Sequence, residues 1–324
     1  MGGTEAYPEF MRAVTIVENQ LVWAEHPDPV PAAGELLVAV AAAGLNAADL
    51  LQRKGFYPAP PGVPADIPGM EFAGEVVAVG EGVTRYTVGD RVMALVGGGA
   101  QAELVTVAES VALPVPAGLA WPAAGGFPEV FSTAHDALVT QGRLGAGDRV
   151  LISGAAGGVG SAAVQLAHAA GAQVVASVRN PDLRQRVSDL GADRVIEPGQ
   201  EGDHGPYDVS LELVGGPGVV DALGALATGG RIVVIGVGAG AKVELNLLAL
   251  MGKRATIGGS TLRARSLPEK TAVARKVEAE VLPGLADGSL VVPVADTFPL
   301  ADADAAYQRF AAGAKFGKIV LVNG

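Results

Sequence analysis

From Met11 to about Phe127 the chain alternates short apolar runs with turn formers. The runs ELLVAVAAAGL (35–45), GEVVAVG (74–80), DRVMALV (90–96) and AELVTVA (102–108) are valine-rich and predict strands. PAAGE, GEGVTRYTVGD and GGG separate them as turns. Short strands at this spacing predict a small antiparallel barrel or sandwich. The first ten residues, MGGTEAYPEF, read as an extension, because a strand-like register begins only at Met11.

After Pro128 the rhythm becomes strand–helix alternation. DRVLISG (148–154), QVVASV, RVIE, DVSLELV (208–214), RIVVIGV (231–237) and ATIGGST (255–261) predict strands, with helices over 160–171, DLRQRVSDLG and about 217–227 between them. Such alternation predicts a doubly wound parallel sheet with helices on both faces. The tail returns to the earlier style. Residues 267–288 carry Val273, Val277, Val281 and Leu285 on one helical face, and 301–313 predict a second helix with Asp302 or Asp304 as N-cap and Gly313 as its stop. GKIVLV is a closing strand. A nucleotide-binding unit therefore reads as inserted within a β-rich one.

Composition narrows the chemistry. With 324 residues the chain suits two domains. A net charge of −11 disfavours nucleic acid or an anionic membrane surface as partner. The chain has no cysteine, which removes disulfides, thiolate nucleophiles and thiolate zinc sites. MGGTEAYPEF lacks a basic segment followed by an apolar one, so no signal peptide is expected there. No apolar run approaches the roughly 18 residues of a membrane span. The expected location is cytoplasmic. The four histidines, His26, His135, His168 and His204, form no metal-binding spacing; His26 and His204 read as exposed loop residues, and His135 and His168 as structural. No G-x-S-x-G elbow supports a hydrolase.

SGAAGGVGSAAVQLA (153–167) follows a strand and opens a helix, the setting a dinucleotide loop requires. Ala155 replaces the first glycine of the usual motif. Ala156, Gly157, Gly158 and Val159 would approach a pyrophosphate, with Gly160 packing the helix on the strand. The next strand ends ASVRNPD, with Ser177, Arg179 and Asn180 and no carboxylate before Asp182. An arginine in place of the ribose-binding acid favours NADPH, by a charge-assisted contact with the 2′-phosphate. The alternative is that Arg179 is an ordinary solvated residue. In GLNAADLLQRKGFYPAPPG (44–62), Asn46, Asp49 and Arg53 share one face of a helical turn and Tyr57 follows. An amide and a phenol in one cleft can hydrogen-bond a carbonyl oxygen, whereas Asp49 and Arg53 read more readily as a pair that ties the loop down.

The stretches GLNAADLLQRKGFYP, PGMEFAGEVVAVG, GDRVMALVGGGAQAE, FPEVFSTAHDAL, GAAGGVGSAAVQLA, GGSTLRAR and FGKIVL together resemble the zinc-free quinone oxidoreductases of the medium-chain dehydrogenase/reductase superfamily, over Met11 to Val322. The pairing of PE (128–129) with GSTLRAR (259–265) is similar to the branch of the p53-inducible quinone oxidoreductase. The resemblance implies a Rossmann sheet over 129–265 inserted in a GroES-like catalytic domain made of 1–128 and 266–324. In the zinc-dependent members, metal ligands occupy positions that align here with Asn46, Met70 and Glu129; the first two are poor zinc ligands, so no metal is expected and Met70 becomes pocket floor. The resemblance further implies that Asn46 and Tyr57 are catalytic hydrogen-bond donors. It places Asn46 and Thr133 beside the nicotinamide and lines the cofactor with Val214, Ile235, Gly236 and Val237. Thr261 and Lys318 close over it.

Two features frequent in quinone reductases are missing, a lysine where Leu183 stands and a tyrosine near Pro198, so Arg179 or Arg184 inherits the phosphate role. Gln101 stands where a tyrosine is frequent. The implied activity is hydride transfer from NADPH to a quinone, ortho-quinones included. Reduction of an enone or alkenal double bond, or a cofactor-loaded structural role, are the alternatives. A homodimer through strand 255–261 is the expected assembly.

Overall fold

The computed structural model describes residues 10–323, so the extension expected at the N-terminus lies almost wholly outside the described residues. β1 (Phe10–Val17) and β2 (Gln20–Pro27) form an antiparallel pair, followed by β3 (Glu35–Gly44), α1 (Ala47–Arg53), β4 (Glu71–Val79), β5 (Arg91–Leu95), β6 (Leu104–Ala108) and β7 (Leu113–Pro114). α2 (Trp121–Gly125) and α3 (Pro128–His135) lead through a wide helical turn at 136–141 into β8 (Arg149–Ile152). Then come α4 (Gly158–Ala169), β9 (Gln173–Ser177), α5 (Arg184–Ser188), β10 (Arg194–Ile196), β11 (Tyr207–Glu212), α6 (Pro217–Ala225), β12 (Leu226–Val234), α7 (Leu247–Lys253) and β13 (Thr256–Gly259). The tail adds α8 (Leu267–Glu280), α9 (Leu282–Asp287), β14 (Val294–Pro299), α10 (Ala303–Ala311) and β15 (Lys318–Val322).

Six strands build a parallel sheet in the order β10-β9-β8-β11-β12-β13. The order reverses between β8 and β11, which leaves a crevice outside the carboxyl ends of these strands. A seven-stranded mixed sheet takes β3 to β7 from before this unit and β14 and β15 from after it. The C-terminal β15 pairs antiparallel with β3, Val320 opposite Gly44, and so returns the tail to the first sheet. This is the α/β architecture expected, a Rossmann-type sheet beside a GroES-like unit.

Four elements differ from the sequence reading, each for a local reason. Residues 121–135 form α2 and α3 although no amphipathic period is visible there; α3 is buried from Val130 to His135, so it has no polar face to mark it. The long tail helix breaks at Val281 into α8 and α9, because Pro283 brings no N–H to continue the ladder. Its apolar face survives the break, with Val277, Val281 and Leu285 all buried. His26 stands in β2 and bonds the Thr15 hydroxyl at 2.7 Å, rather than in an exposed loop. Arg53 pairs with Asp304 at 2.9 Å, not with Asp49. Asp49 instead turns inward, fully buried, and takes the Asn46 and Gly69 N–H groups at 2.8 and 3.2 Å.

Candidate active site

The phosphate loop leaves β8 at Ser153 and turns at Gly154, whose φ of +61° only glycine adopts freely. A Cβ on Gly160 would lie 2.5 Å from the Gly154 carbonyl oxygen, so only hydrogen lets α4 pack this close to the turn. A Cβ on Gly157, by contrast, would meet nothing nearer than that carbonyl at 3.4 Å. The outer face of the turn is thus open beside the N-terminus of a 12-residue helix, which suits a pyrophosphate. Ala156 is anchored from the other sheet: its carbonyl accepts from the Gly317 N–H at 2.9 Å, and Gly157 and Gly317 form a parallel bridge.

The other crevice residues arrive at the same sheet edge. Val214 follows β11 and is 39% exposed. Ile235, Gly236 and Val237 follow β12, where a Cβ on Gly236 would strike the Leu213 carbonyl oxygen. Glu212, which the sequence reading passed over, organises this edge. Its carboxylate accepts from the Ser153 hydroxyl and from the Val214 and Gly215 N–H groups at 2.7–2.8 Å, joining the ends of β8 and β11. A carboxylate inside the apolar run DVSLELV was the available signal.

At the end of β9 the three expected contacts separate. Ser177 is buried, and its hydroxyl is committed to Glu201 at 3.0 Å, which removes it from the cofactor's reach. Asn180 spends its side-chain oxygen capping the turn at Asp182. Arg184 is held by Glu197 at 2.8 Å. Arg179 is exposed and carries no ion pair among the described residues.

The reacting end of the crevice is a buried polar cluster. The Lys318 ammonium, 2% exposed, donates to Glu71 Oε1 and Asn46 Oδ1, both at 2.6 Å, and to the Leu45 carbonyl at 2.8 Å. Asn46 Nδ2 donates to Glu71 Oε1 at 2.9 Å and to the Gly44 carbonyl at 3.3 Å. Both amide hydrogens are therefore spent, which corrects the donor role expected of Asn46: it braces the cluster. Lys318 is likewise corrected. It does not fold over a cofactor but runs beneath the phosphate loop, where a Cβ on Gly158 would come within 2.9 Å of its Cδ.

On α3 the Glu129 N–H donates to Glu71 Oε2 at 2.8 Å, and Thr133 Oγ1 donates to Glu129 Oε1 at 3.2 Å. Burial pushes the Glu129 carboxyl up to about 7; Glu71 adds to this and Lys318 opposes it. Burial likewise lifts Asp49 to about 6 against its two backbone hydrogen bonds.

Tyr57 is half-buried, its hydroxyl 3.3 Å from Thr261 Oγ1. It is positioned by Arg263, a residue that sequence reasoning did not single out. Arg263 is 2% exposed, lies 4.9 Å over the Tyr57 ring, and donates to the Tyr57 and Gly97 carbonyls at 3.0 and 2.7 Å and to Gln52. Arg265 anchors the same segment through a two-pronged bond to Asp136 at 3.0 and 2.7 Å. Although burial pushes Asp136 up, the bonds from Arg265 and Ser260 hold its carboxyl below the usual range.

A zinc ion does not fit this donor set. Of the three aligned positions, Asn46 has its oxygen on the Lys318 ammonium, Met70 is a weak ligand, and Glu129 alone cannot hold the ion. Among the described residues no group of three or more His, Cys, Asp or Glu is arranged to hold a metal. No helix of the described residues is long and apolar enough to cross a membrane.

Two family descriptions match the chain, "Alcohol dehydrogenase GroES-like domain" over 32–117 and "Zinc-binding dehydrogenase" over 158–278. The quinone oxidoreductase of Rattus norvegicus is 30% identical over 307 residues, 91% of each chain. The chain belongs to the medium-chain dehydrogenase/reductase superfamily. A mycocerosic acid synthase-like polyketide synthase of Mycobacterium tuberculosis is 34% identical over 301 residues, but the chain spans only 14% of that protein's length. An alcohol dehydrogenase superfamily protein from Novosphingobium aromaticivorans superposes with a TM-score of 0.87 at 30% identity, covering 97% of this chain and 100% of the other.

Proposed function

We propose that this protein transfers a hydride from NADPH to a quinone, without a metal. The observation that carries this reading is the donor set at the aligned metal positions, where the Asn46 oxygen is held by the Lys318 ammonium, Met70 is a weak ligand and Glu129 stands alone. With no Lewis acid to polarise it, the acceptor must already be electrophilic, as quinones are. NADPH supplies the hydride when bound; the chain's residues hold it and steady the acceptor. The phosphate loop and the dipole of α4 receive the pyrophosphate, Arg179 the 2′-phosphate, and Tyr57 donates to the acceptor oxygen where charge develops.

The test is loss of NADPH absorbance with an ortho-quinone and, separately, with a simple conjugated enone. Turnover of the quinone supports the reading. Turnover of the enone alone makes the protein a double-bond reductase with the same residues, and NADPH binding without either reaction makes it a binding protein. Arg179→Ala is expected to raise KM for NADPH at least tenfold, about the worth of one charge-assisted contact, and to leave KM for NADH unchanged. Equal effects on both cofactors would remove Arg179 from the 2′-phosphate.

Among the described residues β13 has no partner strand on its outer side, and Leu247, Leu248 and Met251 of the preceding α7 are 64–77% exposed. We infer a homodimer with β13 paired to its copy. Light scattering should give twice the chain mass, and a monomer at assay concentration would exclude it.

A further inference from the structure

The proton that must accompany the hydride has few sources in this cluster. Lys318 has placed its three N–H groups on Leu45, Asn46 and Glu71, and Asn46 has placed both of its own. Asp49 accepts from two backbone N–H groups and is sealed from solvent. The Tyr57 hydroxyl can steady an oxygen, but it shares its proton with Thr261. One group remains. Glu129 accepts at Oε1 from Thr133, while Oε2 has no hydrogen-bond partner among the described residues, and the side chain is half-buried rather than sealed.

Glu129 also stands where a reacting group should. Its N–H is fastened to Glu71, and its neighbour Val130 borders the phosphate loop, since a Cβ on Gly158 would come within 2.8 Å of Val130 Cγ1. The start of α3 thus lies between the buried cluster and the start of α4. Resting on the hydride-transfer reading above, we propose that Glu129 is the proton donor of the reaction, passing its carboxyl proton to the acceptor oxygen. Bound NADPH would supply the hydride, giving NADP+ and an acceptor that, as a hydroquinone monoanion, still needs one proton. The Glu129 O–H bond then breaks, a new O–H bond completes the hydroquinone, and solvent returns a proton to the carboxylate through its open side.

The surroundings suit a proton donor at neutral pH. Burial holds the carboxyl up to about 7, so a large fraction carries its proton there. Glu71 from β4 and Asp49 from α1 push in the same direction, and Lys318 from β15 opposes them. α4 presents no charge in its first turn; α8 packs on α3, with Lys270 lining a cavity together with Ser132 and Glu280 bonding His135.

The test is the pH profile of kcat for wild type, Glu129→Gln and Glu129→Asp, with NADPH affinity measured by fluorescence on each. Wild-type kcat should fall as pH rises through about 7, because the acid form is lost. Glu129→Gln should lose about 100-fold in kcat, lose that alkaline fall and keep its NADPH affinity. Glu129→Asp, which remains an acid, should keep the fall at a reduced rate. A Glu129→Gln protein with kcat within threefold of wild type and the same alkaline fall overturns the assignment while leaving quinone reduction intact. A Glu129→Asp protein without the fall overturns it equally. A wild type inert toward quinones removes the underlying reading instead, and the assignment with it.

Discussion

Lys318→Met is expected to destabilise the protein by about 3–5 kcal/mol, the cost of leaving one member of a buried ion pair without its partner. Methionine keeps the methylenes that pack under Gly158 and removes only the ammonium. Glu71, fully buried, then keeps its bonds from Asn46 and Glu129 but loses its counter-charge, and the Leu45 carbonyl and Asn46 Oδ1 lose a donor. The loss should depend on pH. Lys318 draws Glu129 and Asp49 downward, so without it both carboxyls sit further above their unfolded values. A carboxyl raised in the folded state binds its proton more tightly there, so stability falls as pH climbs from its unfolded value to the raised one. The destabilisation should therefore be smaller at pH 5 than at pH 8. Urea midpoints at the two values measure it, and the double variant Lys318→Met with Glu71→Gln should recover part of the loss. A cost below about 1 kcal/mol would mean that the pair is solvated and that the cluster is not what joins β15 to the site.

Tyr57→Phe carries the largest effect expected on activity. The ring stays under Arg263 and the backbone bond from Arg263 to the Tyr57 carbonyl is untouched, so the fold and the loop should be retained. Only the hydroxyl is lost. If it steadies the oxygen on which charge develops, kcat should fall by about 10²–10³, the usual cost of one such donor, with NADPH affinity unchanged. Steady-state rates and a fluorescence titration separate the two. A kcat within twofold of wild type would move the stabilising role to solvent.

The two units of the fold were legible in the sequence because their signals are local: turn formers at short intervals on one side of Pro128, strand–helix alternation on the other. The phosphate loop was legible for the same reason. Residue roles were less so wherever a partner lies far along the chain. Asn46 could be picked out from its helical turn, but its duty is set by Lys318, 272 residues away, which consumes its oxygen while Glu71 and Gly44 consume its hydrogens. Ser177 likewise reads as a cofactor contact until Glu201 is seen to hold it. Arg263 was quoted within GSTLRAR without a role, since nothing local shows that it spans Gln52, Tyr57 and Gly97. α3 was hidden because a helix buried nearly all round has no polar period to display.

The central claim, hydride transfer that needs no metal, is tested most directly with protein stripped of metal by a chelator and dialysed. NADPH oxidation is then followed with an ortho-quinone before and after zinc is added. An unchanged rate in the stripped protein, with no gain on adding zinc, is the result expected from a site in which Asn46 holds the Lys318 ammonium, Met70 is a weak ligand and Glu129 is left alone. Loss of turnover on stripping, restored by zinc, would contradict it.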